Sequence, residues 1–320
     1  MHLYPIQFHP ILKERIWGGT KLKTVLNKDI TSDITGESWE LSGVKGDVSV
    51  VSNGEYQGKS LNELLEQFPN EILGAPIHER FGNEFPLLFK FLDAREDLSI
   101  QVHPNDELAK KRHNSFGKTE MWYVMQADFD SRIIVGFKNR SRREEYLFNL
   151  EQGSLLDILD TVKTKAGDVF FLETGTVHAI GAGVLIAEIQ QTSDITYRLY
   201  DFDRVDANGK KRDLHVDLAV DAINYETTDT QKSYSDRENQ ANTIVNCPYF
   251  HTSFIPVRGE SEMHSGGDRF RVYMCVDGHF SIEHDGYKYE YRMGDTILIP
   301  AALRDFRLDG FGSVLEVYVP

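Results

Sequence analysis

Gln101 and His103 stand two residues apart in "LSIQVHP", Lys118 and Glu120 two apart in "GKTEMWYVM", and His178 lies in "ETGTVHAIGAG". Side chains two apart on a strand point to one face. Ser99, Gln101 and His103 therefore share a face, with Leu98, Ile100 and Val102 on the other; Lys118, Glu120 and Trp122 share a second face. Neither stretch has the pattern of a surface strand, and burying such groups without partners is costly. Singly, each reads as part of a buried hydrogen-bond network or as a satisfied core histidine. Together, His103, Glu120 and His178 are ligands of the kind a divalent transition metal takes, and Gln101 adds a carbonyl oxygen. Two imidazoles, one carboxylate and one amide suit a catalytic zinc better than a structural one, which is more often rich in cysteine. With a single carboxylate the ion stays net positive, which suits an enediolate-type anion.

A second group follows in "AEIQQTSDITYRLYDFDR", with Glu188, Asp194 and Arg198. Thr196, Arg198 and Tyr200 share a face. An inward Arg198 would be an anion clamp of fixed charge; on spacing alone, a structural pair with Glu188 or Asp194 explains it equally well. Lys90 sits inside apolar "PLLFKFL". A lysine there ordinarily snorkels from a strand end, but with Lys118 and Arg198 it would make a local cationic pocket in an acidic protein.

These residues need elements to hold them. "LNELLEQFPNEIL" (61–73) has helical spacing, and "PNDELAKKRH" (104–113) reads as a short helix capped by Asn105 or Asp106. Residues 141–162 read as a helix, a glycine break and a second helix or turn, and 85–94 as a buried strand. From 165 onward, β-branched and aromatic residues with regular glycine turns mark an all-β region. "KAGDVFFLETG" and "RMGDTILIPAA" share a strand, a Gly-Asp turn, an apolar strand and a turn. The expected fold is mainly β: two related barrels with helices inserted into the first. The expected division is a metal-binding domain over 1–225, a polar linker over 226–243 and a second barrel over 244–320. That barrel keeps Gly294-Asp295 and Pro300 but has no histidine in "AALRDF", so it is expected to be structural and free of metal.

A net charge of −15 argues against nucleic-acid and membrane-surface partners, both of which call for basic fields. No apolar run reaches the ~20 residues that cross a bilayer, and "MHLYPIQFHPILKERIWGG" lacks a signal pattern. Cys247 and Cys275 read as reduced, half-buried thiols. A cytoplasmic protein is the default expectation.

"QVHPND", "GKTEMWYV", "GTVHAIGAG" and "EIQQTSDITYRLYD", in that order, resemble the type I phosphomannose isomerases, most closely their short bacterial form. "KERIWGG", "GESWELS" and "FPLLFKFLDA" are similar to that family too, and the resemblance runs from about residue 5 to 220. It implies two cupin barrels (double-stranded β-helices) with a helical insertion, and one Zn2+ per chain, other divalent metals being allowed, on Gln101, His103, Glu120 and His178. It implies that Arg198, Glu188, Asp194, Lys118, Lys90 and Ser99 line the substrate cleft. It further implies interconversion of mannose 6-phosphate and fructose 6-phosphate through a cis-enediol. Arg198 has too high a pKa to lose its proton and so cannot serve as the base for the proton transfer, which leaves Lys118, Glu188 or a water held by the metal; Lys90 and Ser99 are expected on the phosphate. Two departures from the general cupin pattern stand out: a helix-bearing insertion between His103 and Glu120, and Glu173 where a proline is usual. The expected partner is a small sugar phosphate, and the expected state a monomer or weak homo-oligomer. Rival readings are an iron-dependent cupin oxygenase and a non-catalytic sugar-phosphate sensor.

Overall fold

The computed structural model describes residues 4–205 and 208–320. Residues 1–3 of the N-terminal stretch and 206–207 of the first expected domain lie outside the described residues.

The first part contains β1 (Ile11–Gly19), β2 (Thr35–Leu41), β3 (Leu87–Ala94), β4 (Ile100–Val102), β5 (Glu120–Ala127), β6 (Arg132–Phe137), β7 (Leu159–Lys163), β8 (Val169–Leu172), β9 (His178–Ile180), β10 (Val184–Gln191), β11 (Tyr197–Tyr200) and β12 (Gln231–Lys232). One sheet runs β1-β2-β3-β10-β5-β8-β12 and a second runs β11-β4-β9-β6-β7. The alternation of side chains decides what lies between them. Trp122, Val124, Val184 and Ile186 from the first sheet meet Ile133, Val135 and Ile180 from the second in one core. The opposite face of the second sheet, with Ile100, Val102, Ala179 and Leu199, is covered by α6 (Arg143–Glu151), α7 (Leu155–Ile158) and α8 (Val216–Val220).

The remaining strands are β13 (Asn242–Asn246), β14 (His251–His264), β15 (Arg271–His284), β16 (Tyr287–Arg292), β17 (Thr296–Ile299) and β18 (Asp305–Tyr318). They pair in the order β13-β14-β18-β15-β16, with β17 beside β15. Ile255, Tyr273, Phe280, Ile297 and Val314 fill this unit's interior. The fold is thus mainly β and of cupin type, with the first unit a sandwich of two sheets rather than a barrel closed by hydrogen bonds.

The outer face of the first sheet joins the two units. Phe89, Phe91, Met121, Tyr123, Leu185 and Ile189 share a core with Phe254, Phe270, Val272, Leu315 and Val317. Tyr123 stacks on Phe254 with ring centroids 5.9 Å apart. The segment 226–243 bridges the units: β12 pairs with β8 and the Tyr234 hydroxyl donates to the Gly167 carbonyl at 2.8 Å, whereas Asn242 and Thr243 already pair with β14 as part of β13.

Residues 61–73, which carry one helical pattern, form two helices, α2 (Leu61–Gln67) and α3 (Pro69–Leu73). Phe68 precedes a proline and is driven out of the helical region, to φ −139° and ψ 50°. The start of α2 is fixed by a capping box between Ser60 and Glu63. The predicted helix at 104–113 forms as α5 (Asp106–His113), and Asn105 is its cap, accepting from the Leu108 amide at 2.9 Å.

Candidate metal centre

Asp106 ties the inserted helix back to the sheets of the first unit. Its Oδ1 accepts from the Gly117 amide at 2.8 Å and from Gln191 Nε2 at 3.0 Å. Gln191 Oε1 accepts in turn from the Thr119 amide at 2.9 Å. These bonds fix the chain on both sides of Lys118 as it enters β5. Gly175 shapes the approach to β9. It sits at φ +90°, its N–H donates to the His103 carbonyl at 3.0 Å, and a Cβ there would lie 2.9 Å from the Ala222 carbonyl oxygen.

His103, Glu120 and His178 are 0–1 % exposed. His178 is the direct partner of Gln101 across β9 and β4. The Nδ1–H of His103 donates to the Ile195 carbonyl and that of His178 to the Thr176 carbonyl, each at 2.8 Å. Both rings therefore turn an Nε2 lone pair to the centre, the tautomer that metal ligation requires. The two Nε2 atoms are 3.2 Å apart, and Glu120 lies 3.4 Å from His178 and 3.6 Å from His103. Gln101 Nε2 donates to His178 Nε2 at 3.3 Å, and turning its amide over brings a carbonyl oxygen to the same place. Among the described residues, this is the one cluster of three His, Cys, Asp or Glu ligand atoms all within 4.8 Å of one another.

Burial, reinforced by the Lys118 charge, holds His103 well below the ordinary imidazole range and brings His178 down to about 4. Neutral rings with converging lone pairs attract nothing from each other. Glu120 Oε1 also finds no hydrogen-bond partner among the described residues. A fully buried set of converging acceptors, met only by donors from Gln101 and Lys118 and leaving one carboxylate oxygen orphaned, is what a divalent cation satisfies, so the residues fit the expected metal.

Around this centre lies a cleft of about 550 Å³. Gln101, Lys118, Glu188, Lys90, Ser99, Asp194 and Arg198 all line it. Lys118 donates to Glu120 and to His103 Nε2, the latter at 3.2 Å, and its Nζ is 3.9 Å from Glu188. Burial alone would lower the Lys118 pKa, but Glu120 and Glu188 outweigh it and the net shift is upward. Glu120 itself is pushed up to about 7 by burial, against the pull of Lys118. For Glu188, burial is outweighed by Lys90 and Lys118, which hold its carboxyl down at about 2.

Lys90 does not snorkel. It is buried, 3.0 Å from Glu188 Oε1 and 2.8 Å from Gln190 Oε1. Arg198 pairs with neither Glu188 nor Asp194: its Nε donates to Ser99 Oγ at 3.3 Å and its Nη1 to the Asp213 carbonyl at 2.9 Å. Asp194 is exposed on the cleft wall. Lys13, Arg15, Glu37 and Trp39 also line the cleft and were not singled out from sequence. Lys13 and Arg15 alternate along β1, and Glu37 and Trp39 along β2, so the signal was the same period-two pattern used for 99–103. Arg15 Nε donates to Glu37 Oε1 at 2.8 Å, and Trp39 Nε1 to Glu37 Oε2 at 2.6 Å.

Two family models match the chain: "Phosphomannose isomerase type I, catalytic domain" over residues 6–125, and "Mannose-6-phosphate isomerase, cupin domain" over residues 240–319. Mannose-6-phosphate isomerase ManA of Bacillus subtilis is 38% identical, over 97% of this chain and 98% of its own. The mannose-6-phosphate isomerase of Streptococcus mutans is 36% identical, over 96% of this chain and 95% of its own. Among solved structures, the mannose 6-phosphate isomerase from Bacillus subtilis superposes with a TM-score of 0.90 at 35% identity, over 98% of this chain and 99% of that one.

Proposed function

The chain belongs to the type I phosphomannose isomerase family, and we propose from that premise that it interconverts mannose 6-phosphate and fructose 6-phosphate, with one zinc ion per chain and through a cis-enediol. The observation that carries the metal is the orphaned Glu120 oxygen facing two imidazoles locked in the ligating tautomer. His103, His178 and Glu120 would hold the ion, with the Gln101 amide beside them. Bound there, it supplies Lewis-acid polarisation of the sugar's carbonyl and hydroxyl oxygens.

The chain's own residues do the rest. Arg198, held by Ser99 and the Asp213 carbonyl, presents a fixed cation to the anionic end of the sugar. Lys118 stands on the cleft floor with its ammonium against Glu120 and His103. Glu120 and Glu188 together hold the Lys118 proton; with a cation on Glu120, Lys118 would keep only Glu188 as its carboxylate partner and would give up its proton more readily. That makes it the group to carry the proton between C1 and C2, a contribution typically worth ~10²–10⁴ in rate. Glu188, held at about 2, is a weak base; its part is to fix Lys118 and Lys90. The cleft's cations also explain how a protein of net charge −15 takes an anionic substrate.

The test is a coupled assay of fructose 6-phosphate formation before chelation, after it, and after zinc is restored. Loss and recovery support the reading; activity untouched by thorough chelation overturns the metal assignment. A protein that binds mannose 6-phosphate without turning it over, metal restored, would be a sensor instead.

A further inference from the structure

The second unit repeats part of the construction of the first, at residues that do not line the isomerase cleft. In the first unit a carboxylate on a central strand, Glu188 of β10, faces an aromatic donor on one neighbour, Trp122 of β5, and a cation on the other, Lys90 of β3. In the second, Glu316 of β18 faces Tyr273 of β15 on one side and Ser253 of β14 on the other. The Tyr273 hydroxyl donates to Glu316 Oε1 at 2.7 Å, and Arg271 lies 3.4 Å from the same oxygen. The Gly-Asp turns repeat as well. Asp168 accepts from the Lys165 amide at 2.9 Å and Asp295 from the Arg292 amide at 2.8 Å, each three residues back.

Glu316, Tyr273 and Ser253 are 5 %, 0 % and 1 % exposed and line a cavity of about 370 Å³ together with His251 and Arg271. That is within the range of small-ligand pockets, ~300–1,000 Å³. A barrel interior built only for stability gains little from a buried ion pair, which is often no better than apolar residues of the same volume. Here the polar groups gather at one end of an otherwise apolar barrel, where Ile255, Cys275 and Val314 continue the same strands.

The chemistry of the lining selects the ligand. Glu316 and Arg271 balance each other in charge, burial lowers the His251 pKa from its ordinary value, and His264, also on the lining, is paired with Asp305 at 2.8 Å. The lining therefore favours neither a cation nor an anion. It offers a carboxylate acceptor, a guanidinium donor, and the Ser253 hydroxyl and His251 imidazole, which lie 3.1 Å apart, bonded to each other, and can each donate or accept. Adjacent hydroxyls, each both donor and acceptor, match that set. We infer that the mouth of the second barrel binds a small uncharged polyhydroxy molecule, a free monosaccharide or its alditol, at a site separate from the isomerase cleft.

Mannose and mannitol are titrated into the full-length protein by calorimetry and followed by saturation-transfer NMR. Saturable binding of either one is expected, retained in Lys118→Ala, which alters the cleft. Glu316→Gln should weaken it at least tenfold and Ser253→Val several-fold, with melting temperature and far-UV spectrum showing that each variant is folded. Isomerase activity should stay at the wild-type level in both. Ser253→Val leaves the ion pair intact, so it remains informative if Glu316→Gln does not fold. The inference is overturned if neither compound binds, if both variants bind as wild type does, if Lys118→Ala abolishes binding, or if inorganic phosphate displaces the sugar.

Discussion

Trp122 Nε1 donates to Glu188 Oε2 at 2.9 Å, and the two residues are direct partners across β5 and β10. The indole therefore does two things at once: it packs between the sheets and it satisfies one oxygen of the carboxylate that holds Lys90 and Lys118. Trp122→Phe keeps most of the packing and leaves that oxygen short of a donor in a buried place. The expected cost is about 1–3 kcal/mol of stability, with a fall in kcat that exceeds any change in KM. Thermal unfolding and steady-state kinetics read both; an unchanged melting temperature would show that the bond is dispensable.

Lys90→Met should change the pH dependence of stability. The folded Glu188 carboxyl is held at about 2, below its ordinary 4.5. Its contribution is complete above that ordinary value and drains away as pH falls through it toward the folded value. Removing Lys90 brings the folded value up and shrinks the contribution. At neutral pH the variant should be less stable by about 3–5 kcal/mol, the cost of breaking a buried pair. Between about pH 5 and pH 3 it should lose less further stability than wild type does. Melting curves across that range decide the matter: parallel losses in the two proteins would mean that Lys90 does not set the Glu188 ionisation.

His178→Ala and Arg198→Ala should separate metal from substrate. His178→Ala is expected to lose bound zinc, measured by elemental analysis after dialysis, together with activity. Arg198→Ala should keep the metal while kcat/KM falls about tenfold to a hundredfold, the worth of one or two charge-assisted hydrogen bonds. Full activity in Arg198→Ala would remove the clamp from the mechanism.

Gly175→Ala tests the turn that leads into His178. A side chain there meets both an unfavourable φ of +90° and the Ala222 carbonyl. The strain should cost about 1–3 kcal/mol, and the altered turn should release zinc to a competing chelator more readily than wild type does. Equal zinc retention would show that β9 holds His178 in place by itself.

The faces of 99–103 and 118–122 were legible because strand alternation is a local property, and Ile100 and Val102 do pack outward while Gln101 turns inward. The matching Gly-Asp turns were legible for the same reason: Gly167 and Gly294, at φ +89° and +96°, each lead into a short apolar strand. What the sequence hid was pairing at long range. Nothing local tells Lys90 that Glu188 and Gln190 await it about a hundred residues on. Arg15 and Glu37 stayed unassigned because β1 and β2 become cleft walls only when β2 pairs with β3. The helical spacing over 61–73 was legible too, and the proline at 69 divides it into two helices.

The sheet that carries Glu120, Glu188 and Lys90 has its back against the second unit, in a core that includes Leu315 and Val317 near the chain's end. Without that backing the rear of the sheet would lie bare to solvent, and β3, β5 and β10 would lose the packed surface that holds Lys90, Glu120 and Glu188 in register. The rigidity of the cleft is therefore borrowed from the second unit, so loosening that unit's core would soften the cleft without touching any residue that lines it.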